Sequence, residues 1–209
     1  MFRSRLYPIV DVASANRFGW DARDLARALL AGGADLIQIR AKDLSPRDLL
    51  ALCDDVLLDA RAHDARVIVN DRADVAAAAH AHGVHVGQKD LEPPDVRRLL
   101  GAQALVGWST HTRAQIDAAI GWPIDYLAVG PVFGTASKET GYEAVGLDLV
   151  RYARTRFGER PVVAIGGITL DRAASVVAAG ATAVAVIADL LTTGDPTGRV
   201  RAFRDALPL

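Results

Sequence analysis

Short apolar runs recur about every 20 to 25 residues, and this spacing constrains the fold more than any other feature of the chain. Each run is nearly continuous in Val, Ile, Leu and Ala, which is typical of strands buried on both faces of a parallel sheet. The sequence therefore predicts a series of parallel strands. The runs cover residues 6–12, 36–40, 67–70, 84–86, 105–109, 126–130, 162–166 and 183–187.

The segments between these runs carry helix signals. Ser45 followed by Pro46 is an N-cap with proline at the first helical position, and Pro93-Pro94 begins another helix in the same way. Residues 21–30 combine charge with Leu and Ala at helical spacing and end before Gly32. Strands and helices therefore alternate. No Gly/Ser linker or low-complexity tract divides the chain, so we expect one α/β domain over residues 1–209.

About eight strand–helix units could form either a doubly wound sheet or a closed (β/α)8 TIM barrel. Polar residues follow the carboxyl ends of six of the runs. In a barrel all these ends meet at one mouth, whereas in an open sheet they spread along an edge. This convergence favours the TIM barrel. The polar sets are Gln38 and Arg40, Asn70 and Asp71, Gln88 and Asp90, Ser109 and His111, residues 135–138, and Gly166 with Gly167.

Composition indicates a cytoplasmic protein with neither a nucleic-acid nor a membrane partner. The net charge is −1, which gives no bias towards polyanions. No apolar stretch reaches the length of about 20 residues needed to span a membrane. The basic residues near position 1 are not followed by an apolar region long enough for a signal peptide. The single cysteine, Cys53, lies in an apolar helical pattern, so we interpret it as a buried thiol rather than a nucleophile.

The second run ends in two side chains that point into the barrel. Gln38 and Arg40 are two residues apart on a strand and share a face. A buried guanidinium requires a partner, which can be a barrel carboxylate or a ligand phosphate. With Lys42 beside it, we favour the phosphate.

Asp71 and Asp90 follow adjacent strands, and we expect them at one rim of the barrel. Two carboxylates beside a phosphate repel it unless a divalent cation lies between them, and Mg²⁺ takes one or two carboxylates plus waters and phosphates. The alternative is that both acids stabilise helix N-termini. Together with Arg40, Lys42 and Lys138, the pair favours magnesium.

Ser109 and His111 resemble a nucleophile with its base, but no acid near them in sequence completes a triad. We interpret Ser109 as a ligand hydroxyl, and His111 as an N-terminal helix residue or a substrate contact. His85 is either a satisfied core histidine or a residue lining the barrel.

A second anion site is predicted after the last two strands, where barrels of this fold often bind phosphate. Gly166 and Gly167 allow the backbone to approach a ligand, and Ile187 and Ala188 follow the eighth run. The long polar segment 130–146 contributes to both anion sites and is interpreted as a flap that closes over the mouth. Its ligand-binding candidates are Thr135, Ser137 and Lys138.

These motifs, in this order, resemble the thiamine phosphate synthase family. The matching segments are QIRAKD (38–43), VND (69–71), VHVGQKD (84–90), STHT (109–112), GPVF (130–133) with TASK (135–138), and AIGGI (164–168). The resemblance implies a TIM barrel that joins 4-amino-5-hydroxymethyl-2-methylpyrimidine diphosphate to 4-methyl-5-(2-hydroxyethyl)thiazole phosphate. The implied products are thiamine phosphate and pyrophosphate.

The resemblance also implies residue roles and one Mg²⁺ per active site. Loss of pyrophosphate would be dissociative and Mg-assisted, and the thiazole nitrogen would capture the resulting pyrimidine cation without a general base. The residues implied for pyrimidine diphosphate are Gln38, Arg40, Lys42, Asn70, Ser109 and Lys138, of which Arg40, Lys42, Ser109 and Lys138 are the catalytic set. Those implied for thiazole phosphate are Thr135, Ser137, Gly166, Gly167, Ile187 and Ala188, and those for Mg²⁺ are Asp71 and Asp90.

The chain departs from the family pattern at three positions. Ala41, Gly134 and Ala188 stand where the family often has an acid, a proline and a serine. Ala188 removes a hydroxyl, so we expect a weaker phosphate cup. The alternatives are a thiazole tautomerase-like isomerase and a non-catalytic phosphate-ligand sensor on the same barrel. A homo-oligomer is left open.

Overall fold

The computed structural model describes residues 2–134 and 143–209, and within them the strands form a closed parallel barrel. Each strand pairs with its sequence neighbours, and β1 pairs with β8 to close the barrel. Every predicted apolar run overlaps one strand, so the predicted TIM barrel is confirmed. The strands are β1 Leu6–Asp11, β2 Leu36–Arg40, β3 Arg66–Asn70, β4 Gly83–Val86, β5 Leu105–Thr110, β6 Tyr126–Val129, β7 Val162–Ile165 and β8 Ala183–Val186.

Helices connect the strands, and their ends follow the capping signals of the sequence. Ser45 accepts a hydrogen bond from the Asp48 N–H at 3.2 Å, with proline next in the helix, and Asp21 caps the helix after it through the Arg23 N–H. The described helices are α1 Val12–Arg17, α2 Ala22–Ala31, α3 Pro46–Ala62, α4 Ala73–Ala78, α5 Pro93–Leu100, α6 Arg113–Ala119, α7 Gly146–Phe157, α8 Leu170–Ala178 and α9 Pro196–Ala206, with a 3-10 helix at Ala188–Leu190.

The core has two parts because each strand is buried on both faces. The larger part lies between barrel and helices and includes Cys53, which is fully buried. Burial raises the pKa of this thiol to about 12, which confirms that Cys53 is a packing residue. Within the described ranges, no helix is long and apolar enough to cross a membrane.

The smaller part of the core fills the barrel and includes Tyr7 and Tyr126. The Phe2 ring packs edge-on against both tyrosines, with ring centroids 5.8 Å apart in each case. The same strand alternation turns the polar side chains of Gln38, Asn70 and His85 into the barrel interior.

A candidate active site at the barrel mouth

The carboxyl ends of β5 to β8 surround a cavity of about 330 Å³. Its wall is mostly apolar and is formed by glycines and aliphatic side chains with a few polar groups, which is typical of a small-molecule site. Four of the six predicted thiazole phosphate residues line it, namely Gly166, Gly167, Ile187 and Ala188. Thr135, Ser137 and Lys138 lie outside the described residues, as do residues 135–142 of the predicted flap as a whole.

Two glycines form the side of this cavity, and neither position has room for a side chain. A Cβ atom on Gly166 would lie 2.5 Å from the Pro131 Cα, and one on Gly167 would lie 2.5 Å from the Gly134 carbonyl oxygen. Both residues also have positive φ, 108° and 61°. Only glycine fits this turn, and the backbone of both residues therefore faces the cavity without a covering side chain.

Arg172 lines the same cavity, and none of the sequence motifs includes it. Its Nη1 donates to the Gly167 carbonyl oxygen at 3.0 Å, and its Cζ lies 4.8 Å from the centroid of the Phe133 ring. No carboxylate of the described chain forms an ion pair with it. A basic residue in the first turn of the helix after the glycine pair is the signal that could have identified it.

A second polar cluster lies across the mouth, where Asp71 and Asp90 approach each other. The Lys42 Nζ lies 2.9 Å from Asp71 Oδ2, and the two carboxyl groups are within hydrogen-bonding reach of each other. Asp71 has a φ of 63°, an uncommon conformation for a residue other than glycine. Asp90 accepts from the Gly87 N–H at 2.8 Å.

Neither acid caps a helix in the way the alternative interpretation requires. The N-cap of α4 is Arg72 and that of α5 is Glu92. Burial acts to raise the pKa of Asp71, but the Lys42 ammonium outweighs it and holds that pKa below its ordinary value. Burial raises the pKa of Asp90, and repulsion by Asp71 adds to this rise. The carboxyl group of Asp71 is thus stabilised as an anion, whereas that of Asp90 is shifted towards its protonated form.

Arg40 is paired with a carboxylate of the barrel, which is the alternative partner that the sequence left open. Its Nη1 donates to Asp11 at the end of β1, and the side chains are 12% and 2% exposed respectively. Asp11 also accepts from the Ser14 N–H at 2.9 Å. The Arg40 Nε is buried and has no hydrogen-bond partner in the described chain. Arg40 lies at the mouth and lines a small interior cavity of about 20 Å³.

The interior below the mouth holds a line of hydrogen bonds. Gln38 Nε2 donates to Tyr7 Oη at 3.0 Å, Tyr7 and Tyr126 join through their hydroxyls at 3.0 Å, and His85 contacts Tyr126 Oη through Nδ1 at 3.1 Å. His85 Nε2 then meets Ser109 Oγ at 2.8 Å. A cavity of about 20 Å³ lies among these side chains and Asn70.

His85 is therefore a satisfied interior histidine, as one of the two interpretations predicted. His111 follows β5 directly, lines the large cavity and hydrogen-bonds the Gly130 carbonyl oxygen through Nδ1. The histidine that contacts Ser109 is His85, and its Nδ1 faces a tyrosine, so this pair does not have the acid-supported arrangement of a Ser-His-acid triad.

Comparison with known proteins assigns the family. The profile described as thiamine monophosphate synthase matches residues 6–190. The chain belongs to the thiamine monophosphate synthase family. This confirms the resemblance predicted from the motifs.

Relatives match this chain over nearly their whole length. The thiamine-phosphate synthase of Koribacter versatilis is 44% identical over 208 residues, which are 97% of this chain and 95% of the relative. That of Thermus thermophilus is 41% identical over 97% of both chains. Among solved structures, the thiamine phosphate pyrophosphorylase from Pyrococcus furiosus superposes with a TM-score of 0.86 at 30% identity, covering 97% of this chain and 94% of that chain.

More distant barrels share only the fold. Tryptophan synthase of Mycobacterium tuberculosis superposes with a TM-score of 0.69 at 14% identity, covering 99% of this chain and 93% of that chain. The family assignment therefore comes from the sequence matches, whereas the barrel alone would leave the chemistry open.

Proposed function

We propose that this protein condenses 4-amino-5-hydroxymethyl-2-methylpyrimidine diphosphate with 4-methyl-5-(2-hydroxyethyl)thiazole phosphate, giving thiamine phosphate and pyrophosphate. The observation that carries the proposal is the presence of two separate polar arrangements at one barrel mouth, and we propose that each binds a phosphate group, the first of them with Mg²⁺. One is the cluster of Lys42, Asp71 and Asp90, and the other is the glycine-lined cavity after β7 and β8. A reaction between two phosphorylated substrates requires two such sites.

Asp71 and Asp90 fit a magnesium site by the chemistry of their donors. Two carboxyl groups in mutual contact, one with a raised pKa, form an oxygen-donor pair whose repulsion a divalent cation would relieve. Within residues 2–134 and 143–209 no cluster of three or more His, Cys, Asp or Glu could hold a metal. Mg²⁺ with two carboxylates completes its shell from water and phosphate, and when bound it neutralises charge on a diphosphate.

The pyrimidine diphosphate would occupy the side of the mouth formed by β2 to β5. Lys42 is half exposed and holds Asp71 with one of three donors, so it can also bind a phosphate oxygen. Arg40 is held at the mouth by Asp11 and keeps further N–H donors. Asn70 and Ser109, both 7% exposed, line the interior beneath them. Gln38 and, from outside the described residues, Lys138 complete the proposed set.

In the proposed reaction Arg40, Lys42 and Lys138 stabilise the charge that develops on the departing diphosphate. The C–O bond to the leaving group breaks first, and the pyrimidine methylene cation is then captured by the lone pair of the thiazole nitrogen. No residue has to remove a proton from that nitrogen. His85 has no proton-transfer role in this scheme, and its ring contacts Tyr126 and Ser109 in the interior.

The thiazole phosphate would bind in the large cavity. Its phosphate would meet backbone N–H groups near Gly166, Gly167, Ile187 and Ala188, together with Thr135 and Ser137 of the segment outside the described residues. We include Arg172, because its guanidinium lines this cavity and has no acidic partner in the described chain. Its charge can offset the hydroxyl that Ala188 lacks.

The decisive experiment incubates both substrates with Mg²⁺ and measures pyrophosphate release and thiamine phosphate formation. We expect both products in equal amounts. Isomerisation of a thiazole phosphate carboxylate without pyrophosphate release would indicate a tautomerase instead. Binding of both ligands without turnover would indicate a sensor.

A further inference from the structure

The hydrogen bonds inside the barrel connect two residues of the proposed pyrimidine site through three that the reaction does not use. The ends are Gln38 and Ser109, and the three between are Tyr7, Tyr126 and His85. We call these three the interior relay. All five side chains are buried, with exposures of 7% or less.

The direction of each bond follows from counting protons. The Gln38 Nε2 can only donate, so Tyr7 Oη accepts from it and has one proton left. That proton goes to Tyr126 Oη, which in turn donates its own to His85 Nδ1. If Tyr126 donated to Tyr7 instead, the Tyr7 proton would have no acceptor among the described bonds, at a residue 1% exposed.

Burial keeps these protons in place. It raises the pKa of both Tyr7 and Tyr126 above the ordinary value, so both phenols are neutral near pH 7. Because His85 Nδ1 accepts a hydrogen bond, the ring carries its proton on Nε2 and donates it to Ser109 Oγ. Ser109 Oγ is thus an acceptor towards His85, and its own proton is directed elsewhere.

We propose that the interior relay holds His85 in the Nε2–H tautomer and thereby sets the Ser109 hydroxyl as a hydrogen-bond donor towards an acceptor atom of the pyrimidine diphosphate. This inference rests on the proposed function. Tyr7, Tyr126 and His85 are positioning residues, since they act through Ser109. A substrate with an N–H group at that position would meet a second donor and bind poorly.

The rings of the relay are closely packed. The His85 and Tyr126 rings stack with centroids 5.5 Å apart and an interplanar angle of 19°. Gly107 lies on β5, between the strands of these two residues, and its missing side chain leaves the space that both rings occupy. A Cβ atom there would lie 2.1 Å from Tyr126 Cζ and 2.4 Å from His85 Nδ1. Phe2 closes the other side of Tyr126.

The first test uses the Tyr126→Phe variant, which keeps the ring and removes the donor to His85. We expect kcat/KM for the pyrimidine diphosphate to fall about tenfold, as for the loss of one buried hydrogen bond, while the KM for thiazole phosphate stays unchanged. Tyr152→Phe is the matched control, because that hydroxyl bonds Asp117 outside the barrel at 2.7 Å.

A double-mutant cycle separates positioning from a structural role. In a Ser109→Ala background, Tyr126→Phe should have no further effect on kcat/KM, since the relay then has no hydroxyl to orient. The same tenfold loss in both backgrounds, or no loss in either, would overturn the proposal.

The second test does not need turnover. Long-range ¹H–¹⁵N spectra of the wild-type protein distinguish the two histidine tautomers, and a His85→Asn variant assigns the signal among the five histidines of the chain. We expect a proton on Nε2 and none on Nδ1, and the opposite pattern would refute the relay. A wild-type protein that releases no pyrophosphate would refute the proposed function instead, and the tautomer would still decide the relay.

Discussion

Removing the Asp11 carboxylate should destabilise the whole barrel, because it would leave the Arg40 guanidinium buried without its counter-ion. The side chains are 2% and 12% exposed, so water can replace the carboxylate only in part. Losing one partner of such a buried pair costs about 3 to 5 kcal/mol. Asp11 also caps α1 through the Ser14 N–H, and loss of a cap costs about 1 kcal/mol.

For the Asp11→Ala variant we therefore expect a loss of about 5 kcal/mol in the free energy of unfolding, a large share of the roughly 5 to 15 kcal/mol typical of native proteins. The assay is urea denaturation, followed in parallel by tryptophan fluorescence and circular dichroism. Coincident curves would justify a two-state treatment.

Two comparisons isolate the cause. The double variant Asp11→Ala with Arg40→Met should recover most of the loss, because no buried charge then remains unpaired. Asp148→Ala removes an acid from an exposed pair with Arg151, whose side chains are 86% and 59% exposed, and should leave the midpoint unchanged. An Asp11→Ala variant within 1 kcal/mol of the wild type, or a double variant as unstable as the single one, would refute the reasoning.

Three further predictions concern the mouth and the outer barrel. Asp90→Asn keeps an acceptor for the Gly87 N–H but should raise the Mg²⁺ concentration needed for half-maximal activity; an Mg²⁺ titration identical to that of wild type would remove Asp90 from the metal site. Arg172→Gln should raise the KM for thiazole phosphate roughly tenfold, with no change for the unphosphorylated thiazole alcohol; equal losses for both would show that the phosphate is not its target. His82 Nδ1 accepts from the Val67 N–H at 3.1 Å, and burial, with nearby arginines, lowers its pKa below the ordinary 6.5. As pH falls, His82 therefore takes up a proton in the unfolded chain before it does so in the folded chain. The stabilising contribution of the neutral ring should be fully present above pH 6.5 and decrease as pH drops through that value. The His82→Gln variant should lack this dependence in urea midpoints measured across that range.

The local sequence predicted the repeating elements because their causes are local. A strand buried on both faces must be apolar along its length, so every strand was visible as a run. Ser45 and Pro46 marked the start of α3 because a helix end needs an acceptor for its first N–H groups. Gly166 and Gly167 indicated a backbone-lined turn because the turn has no room for a side chain.

The partners of the polar side chains depended on closure of the barrel. Arg40 has Asp11, 29 residues away, as its counter-ion, and Tyr7 meets Tyr126 across 119 positions of the chain. Periodicity placed Arg40 inside the barrel but could not distinguish a carboxylate from a ligand phosphate as its partner. The tyrosines were read only as apolar strand residues, although each carries a hydroxyl that requires a partner when buried.

The sequence by itself thus determined the fold, the family and the end of the barrel at which the candidate site residues lie, since these follow from periodicity, capping and motif order. Only the tertiary structure decided which groups touch: Lys42 with Asp71, Arg172 with the glycine turn, and His85 with both Tyr126 and Ser109. The physical reason is that hydrogen bonds and ion pairs act over about 3 to 4 Å, and distances of that size between remote residues are set only when eight strands close into a ring.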